Sequence, residues 1–417
     1  METLTLINLI MLSLTVLCFC YHLLLVFLNF VKKPKKHPDA KAKKYAILVP
    51  AHNEESVIGP LLDSLNAQDY PKDMLDVYVV ADNCTDDTAN VARQKGAYVY
   101  ERRNEKLKTK SAALDEILHH IWDTVGKGVY HGYFIFDADN VVNKNFVKEI
   151  NKVISSGKRI AVGYRNYKSK FSTWVSYCYN MYWLREAVQI NRARNMLNGS
   201  ATINGTGYCM TEDILLADDG FNTTTLTEDG EMTFRWITRG EKIAFCDDAI
   251  LYDEQPTKFS VSFKQRARWV KGSIQCYFKF FWKLLKGCFK KESAISCLDQ
   301  LCYIFLPIIF SVISLILNIA FGLPMLLNNQ LNVLTLLVSA GIGLAVAFLY
   351  TTLMPIFAMI TERKRIKDSI FKCLLYSLTY PIFMITYAII LIYALFAKVG
   401  WTPIKHTEIV SIDDVEK

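Results

Sequence analysis

Two aspartates one residue apart, Asp137 and Asp139, follow a short apolar run, Tyr133-Phe-Ile-Phe136. Alternate residues of a strand point to one face, so both carboxylates can turn toward a single ion at the strand tip. Carboxylate oxygens suit hard divalent cations such as magnesium or manganese. Without a cation the two would repel each other in a crevice, and the competing duty for such a pair is turn formation and helix capping. A second apolar run, Val77-Tyr-Val-Val-Ala81, also ends in a carboxylate, Asp82, followed by Asn83. Thr227-Glu228-Asp229 precedes the helix-like Glu231–Thr238. Its plain reading is a helix start, with Thr227 as the cap and Glu228 near the positive helix end.

Gln265-Arg-Ala-Arg268-Trp269 lies in a segment of a different kind. From Lys258 to Lys291 there are ten Lys/Arg and no acidic residue, interleaved with Phe259, Phe263, Trp269, Phe278 and Trp282 among the aromatics. That composition suits an amphipathic segment lying in a membrane interface. Nucleic acid is the other partner such a stripe could take; an adjacent membrane anchor favours lipid, and no nucleic-acid partner is expected.

The elements that must position these groups follow from periodicity. Tyr45-Ala-Ile-Leu-Val-Pro50, Val77–Ala81, Tyr133–Phe136 and Arg159-Ile-Ala-Val162 read as buried strands, with helix-like stretches such as Glu55–Ala67 and Thr88–Lys95 between them. Strand–helix alternation implies a mostly parallel sheet covered on both faces. In such sheets ligands bind beyond the carboxyl ends of the strands, where Asp82 and the Asp137/Asp139 pair stand.

The charge distribution sets the frame. The chain has 417 residues, 52% hydrophobic and 21% charged, which excludes disordered, collagen-like and small disulfide-framework classes. Leu4–Val31, Leu301–Thr361 and Cys373–Ala397 carry no Asp, Glu, Lys or Arg, and a helical span needs about 20 apolar residues. The expected order is a transmembrane helix at 4–31, a basic linker at 32–44 and a catalytic domain at 45–257. An interfacial segment at 258–292, further spans at 301–327, 332–360 and 373–397, and a tail at 398–417 follow. The polar turn Asn328-Asn329-Gln330 divides the long uncharged block. No small-residue cleavage site follows the first span, so it reads as an anchor. Seven lysines in 32–44, and Arg363, Lys364, Arg365, Lys367 and Lys372 after the third span, place both flanks and the large domain in the cytoplasm. The fourth span would carry the tail outward. The sequons at Asn83, Asn198, Asn204 and Asn222 then carry no sugar. The eleven cysteines show no C-x-x-C pair and read as reduced, small hydrophobic side chains.

Taken together, Asp82, Asp137-x-Asp139, Thr227-Glu228-Asp229 and Gln265-x-x-Arg268-Trp269 resemble the D, DxD, TED, QxxRW signature of the membrane-bound family 2 glycosyltransferases, the group of the cellulose, hyaluronan, chitin and poly-N-acetylglucosamine synthases. Pro50-Ala51-His52-Asn53-Glu54 is similar to the opening P-x-x-N-E of the same domain, and the likeness spans about 45–275. It implies a GT-A α/β domain, a mostly parallel mixed sheet with helices on both faces, embedded between transmembrane helices. It implies that Asp82 holds the uracil of a UDP-sugar and that Ala51, His52, Asn53 and Glu54 line the nucleotide pocket. Lys110 would lie near the phosphates, with Thr109 standing where the family usually has glycine. Asp137 and Asp139 would bracket magnesium or manganese on the diphosphate. Asn204 and Gly205, in Asn204-Gly-Thr-Gly207, would meet the acceptor sugar, as would Thr227, Glu228, Gln265 and Trp269. Asp229 would be the general base, and Arg268 would neutralise the departing UDP. Direct displacement would invert the anomeric centre.

Two activities fit this constellation, and a third reading does not. A processive synthase would elongate a β-linked polysaccharide and pass it out between the spans, alone, as a homo-oligomer or with an export partner. A single-transfer enzyme would glycosylate a lipid-linked acceptor or glycolipid. A catalytically dead scaffold would not need the complete carboxylate set. The expected setting is the plasma membrane of a bacterial host, with polymer synthesis the preferred activity.

Overall fold

The apolar runs that end in carboxylates lie side by side. A computed structural model describes residues 2–328, 333–400, 406 and 408–416. Its strands are β1 (Tyr45–Ala51), β2 (Leu75–Asp82), β3 (Tyr98–Arg102), β4 (Gly132–Ile135), β5 (Val141–Val142), β6 (Ile160–Tyr167), β7 (Tyr208–Thr211) and β8 (Ile243–Asp253). They form one sheet in the order β3-β2-β1-β4-β7-β6-β8-β5. β1 runs parallel to β2 and β4, and β2 parallel to β3. β7 is antiparallel to both β4 and β6, which makes the sheet mixed. The four expected runs correspond to β1, β2, β4 and β6. β3 and β7, written Tyr98-Val-Tyr-Glu-Arg102 and Tyr208-Cys-Met-Thr211, lack the long β-branched runs that announce a buried strand.

Alternation along β1 separates two cores. Ala46 and Leu48 face Leu114, Ile117 and Ile121 of the helix Lys110–Thr124. Ile47 and Val49 face Leu61 and Leu62 on one helix and Val147 and Ile150 on another. Each large apolar side chain so buried stabilises the fold by about 1.5–3 kcal/mol, and together they hold the carboxyl ends of β1, β2 and β4 in one row.

Gly207 shows how tightly the central strands meet. Its amide donates to Ile135 O and its carbonyl accepts from Gly163 N, each at 2.8 Å. Its φ is +66°, and a Cβ there would lie 1.8 Å from Leu251 Cδ2. Gly207→Ala should therefore lower stability by about 2–4 kcal/mol, through overpacking and left-handed strain. Thermal unfolding of the purified protein in detergent reads this directly; an unchanged midpoint would contradict the packing.

Outside the sheet, helices occupy Glu2–Val31, Phe259–Gly287 and Val333–Thr361. Among the described residues, two helices are long and apolar enough to cross a membrane, Asn8–Val31 and Leu344–Thr361. Ile370–Ser377 and Tyr380–Phe396 would make a third if taken as one span, but they are bent by 42°. The segment expected as a span at 301–327 is helical throughout, with π-helical turns at Leu301–Phe305 and Asn318–Gly322. Asn329 and Gln330 of the expected polar turn lie outside the described residues.

Buried Arg266 fastens the helix Phe259–Gly287 to Tyr380–Phe396, donating to Phe383 O at 3.1 Å and Thr386 Oγ1 at 2.7 Å. The described tail residues rest on the sheet domain: the Glu408 amide donates to Glu254 Oε2 at 3.0 Å, and Val415 is buried. The sequence suggests a tail carried outward by the fourth apolar segment; the structure lays it against the domain.

Candidate active site

The site is built from strand ends. At the end of β1, Ala51 is buried and His52 Nδ1 lies 2.7 Å from Asp82 O. Asn53 takes a left-handed turn, φ 57°, and its Oδ1 accepts from Thr85 N at 2.8 Å. The Glu54 amide donates to Thr88 Oγ1 at 2.8 Å. At the end of β2, Asp82 Oδ1 accepts from Arg102 Nη1 at 2.7 Å. Arg102 is almost wholly buried and also pairs with Glu116 at 2.7 Å. It holds the Asp82 carboxylate in one orientation.

Beyond β4 the groups converge on Lys110. Its Nζ pairs with Asp137 Oδ1, donates to Gly205 O at 2.6 Å and lies 3.9 Å from Glu228 Oε1. One ammonium thus joins three segments: the aspartate pair, the Asn204–Gly207 turn and the Thr227-Glu228-Asp229 cluster. Burial opposes its charge, but Asp137, Glu228 and Asp229 raise its pKa above the usual lysine value. Thr109, where a glycine is usual, caps the helix that Lys110 begins; its side chain accepts from Ala112 N at 3.2 Å. The Asp137 amide donates to Thr206 Oγ1 at 2.9 Å, and Asn204 O accepts from Arg165 Nη1 at 2.9 Å. The turn is therefore tied to the strand tip from both sides.

Asp229 sits in the first turn of the helix Glu228–Thr238. Burial and the neighbouring Glu228 push its pKa up to about 6, against the pull of the Gly230 amide, Arg268 and Lys110. Thr227 occupies the N-cap position, but its side chain makes no cap hydrogen bond. It packs instead against Gly272 of the helix Phe259–Gly287, where an added Cβ would lie 2.5 Å from Thr227 Cγ2. That close approach brings Arg268 alongside, its Nη1 donating to Leu226 O at 3.1 Å. Trp269 turns into an aromatic cluster, with ring centroids 5.6 Å from Trp183 and 5.9 Å from Tyr179. Gln265 Oε1 is buried without a hydrogen-bond partner among the described residues.

This arrangement offers a row of strand ends bearing carboxylates, a fixed ammonium, and a half-buried carboxylate with a raised pKa of about 6. Residues 42–272, more than half of the chain, match the family described as Glycosyltransferase like family 2. The chain belongs to that family. It is a glycosyltransferase, and its relatives agree. It is 25% identical over 413 residues to the Probable glycosyltransferase YdaM of Bacillus subtilis, covering 94% of this chain and 93% of that one. It is 28% identical over 254 residues to the Beta-monoglucosyldiacylglycerol synthase of Synechocystis, covering 58% of this chain and 51% of the relative, about half its length. A solved structure, the mannosyltransferase PcManGT from Pyrobaculum calidifontis in complex with GDP-Man and Mn2+, superposes with a TM-score of 0.57 at 17% identity. It covers 87% of this chain and 99% of that one. The shared fold is GT-A-like: an α/β domain with a mixed sheet and helices.

Three groups of this glycosyltransferase's site are invisible to motif reading. Arg102 orients Asp82 from the neighbouring strand. Arg165 pairs with Asp253, which also accepts from Asn140 Nδ2 at 2.8 Å, and its guanidinium stacks 3.8 Å from the Trp183 ring centroid. His406, from the tail, places Nδ1 3.0 Å from Glu54 Oε1 and Nε2 3.7 Å from Asp139 Oδ2. Burial disfavours its charge, yet Asp139, Glu54 and Glu254 push its pKa up to about 10. A buried arginine between two carboxylates leaves no local signal, and a tail histidine has none until the chain folds back.

The donor set at the strand tip suits a hard divalent ion. Asp139 is buried, Asp137 stands two residues away, and both supply carboxylate oxygens. Among the described residues no three His, Cys, Asp or Glu side chains form a ready metal cage.

Proposed function

We propose that this glycosyltransferase moves one sugar from a nucleotide-diphosphate sugar to a hydroxyl of a lipid-borne acceptor at the membrane surface, inverting the anomeric carbon. The observation that carries the reading is the seat of Asp229: a half-buried carboxylate in the cluster whose Thr227 packs against Gly272 of the basic, aromatic-rich helix Phe259–Gly287. An acceptor entering along that helix meets the base first. The two apolar helices of spanning length among the described residues, or three with the bent pair as one span, suit such an acceptor. The relatives whose printed names identify a product include a glycolipid synthase.

Asp82, oriented by Arg102, would receive the nucleotide base, with Ala51, His52, Asn53 and Glu54 walling the same pocket. Asp229 takes the proton from the acceptor hydroxyl as its oxygen forms the new bond to the anomeric carbon. The bond to the diphosphate oxygen breaks with its electron pair leaving on the nucleoside diphosphate. Arg268 and Lys110 stand where that charge collects. Asp137 and Asp139 would hold magnesium or manganese, which when bound supplies charge neutralisation at the diphosphate. Asn204, Gly205, Thr227, Glu228, Gln265 and Trp269 form the acceptor side. The setting is a bacterial plasma membrane, crossed more than once, with the domain cytoplasmic beside its lysine-rich flanks.

Growth of a polysaccharide is the second reading, favoured by the aromatic cluster around Trp269, which resembles a platform for successive sugars. One experiment separates the two. Membranes containing the protein are incubated with labelled UDP- and GDP-sugars and manganese, and products are separated by organic extraction and by size. A single labelled species in the organic phase is expected. Label confined to high-mass polymer would overturn single transfer, and no transfer from any donor or to any endogenous lipid would overturn the acceptor assignment.

A further inference from the structure

A second polar cleft opens away from the strand ends. It holds about 560 Å3 between the helices Glu228–Thr238 and Phe259–Gly287, and none of its lining residues belongs to the candidate active site. Six of its lining side chains are cationic and one, Asp218, is anionic. Arg235 and Arg239 pair with Asp218, and Lys279 pairs with Glu231 at 2.6 Å. Lys283, Lys286 and Lys290 meet no carboxylate within ion-pair distance among the described residues. Ammonium groups sharing one cleft repel each other unless an anion joins them.

The spacing along the chain says what surface the cleft faces. Lys279, Lys283, Lys286 and Lys290 recur at intervals of four, three and four residues, which keeps them on one helical face and into the turn beyond Gly287. Phe278, Trp282, Leu285 and Phe289 recur at the same intervals one position earlier, and so form a parallel stripe beside them. That stripe is exposed: 85% at Phe278, 68% at Trp282 and 86% at Phe289. Exposed aromatics next to a row of lysines are the arrangement of a helix lying at the acyl–headgroup boundary. The apolar stripe sets the depth, and the lysines then stand at the level of the phosphates.

We propose that this cleft binds the phosphate-bearing headgroup of an anionic phospholipid of the surrounding bilayer, with the Phe278–Phe289 stripe inserted in the same leaflet. The occupant is a lipid rather than a soluble phosphate because the cleft and the apolar stripe share one edge of the helix. The bound headgroup supplies the counter-charge that Lys283, Lys286 and Lys290 lack. The site is independent of which acceptor the enzyme glycosylates.

The test uses the full chain in nanodiscs of mixed phosphatidylcholine and phosphatidylglycerol. After release into detergent, retained lipids are identified by native mass spectrometry. The protein should keep phosphatidylglycerol in preference to phosphatidylcholine. Lys283→Glu/Lys286→Glu/Lys290→Glu should lose that preference by about a hundredfold, from the usual contribution of each lysine near an anionic surface. The three side chains are exposed, so the unfolding midpoint should hold; if it falls, Lys→Gln at the same positions replaces the reversal. Glycerol phosphate, which has no acyl chains, should not compete at millimolar concentration. Equal retention of phosphatidylglycerol by wild type and variant overturns the proposal. So does equal retention of the two lipids, or full competition by glycerol phosphate, which would make the cleft a soluble-phosphate site. None of these readouts depends on sugar transfer.

Discussion

Asp229→Asn should reduce sugar transfer by about 10²–10⁴-fold while leaving nucleotide affinity close to that of the wild type. The substitution keeps shape and hydrogen bonding but removes the basic oxygen, and a positioned base contributes about that factor. The pH profile carries the same signature. Burial and Glu228 raise the Asp229 pKa to about 6, and the group works only when ionised. Transfer should therefore fall as pH drops through about 6 and level off above it. Glu228→Gln removes the neighbouring negative charge, so the acid limb should move to lower pH. Arg268→Ala should behave differently, weakening nucleoside-diphosphate binding as well as turnover, because a charge-assisted contact is worth about 1.5–3 kcal/mol. Arg268→Lys should not rescue it if the planar fork matters. Initial rates from pH 4.5 to 8.5, with nucleotide titrations on each variant, provide the measurements. Near-normal transfer by Asp229→Asn would remove the base assignment, and a silent Arg268→Lys would reduce Arg268 to a headgroup anchor.

Removal of divalent ions should abolish transfer, and magnesium or manganese should restore it. Asp139→Asn should be inactive at any metal concentration while still inserting in the membrane. The expected loss is about 10³-fold or more, since a divalent ion at a departing diphosphate contributes several kcal/mol. The two aspartates should differ. Asp137 pairs with Lys110, so Asp137→Asn also frees the ammonium that ties the Asn204–Gly207 turn to the strand tip. Among the described residues Asp139 has no lysine partner; its neighbours are His406 and Asn140. Asp139→Asn should therefore leave the turn in place and weaken only the hold on His406, while Asp137→Asn loosens the turn itself. Full turnover after exhaustive chelation would dismiss the ion.

The strand ends were legible because a buried strand is locally written. A run such as Tyr133–Phe136 can be buried on both faces only as a central strand, and a carboxylate following it must emerge at the crevice. The same local logic exposed the amphipathic segment at 258–292. It did not separate the two stripes of that segment into an exposed apolar stripe and a cleft wall, because the opposite wall comes from the helix Glu228–Thr238. Nor did it show where the apolar segments turn or bend. Hydropathy sums over 301–327 and 373–397, whereas π-helical turns and a 42° bend depend on how each segment packs.

The sequence alone therefore determined the strand tips, the chemical types placed on them and the family they resemble, since these rest on periods of two and on neighbouring residues. The tertiary structure alone decided that Arg102 orients Asp82, that Lys110 joins three motifs, and that His406 lies 352 residues in sequence from the Glu54 carboxylate it approaches. Such pairings depend on chain reversals that bring distant backbone together. A side chain's charge is written in its own codon position, but the partner that gives the charge a direction is chosen only when the sheet closes around it.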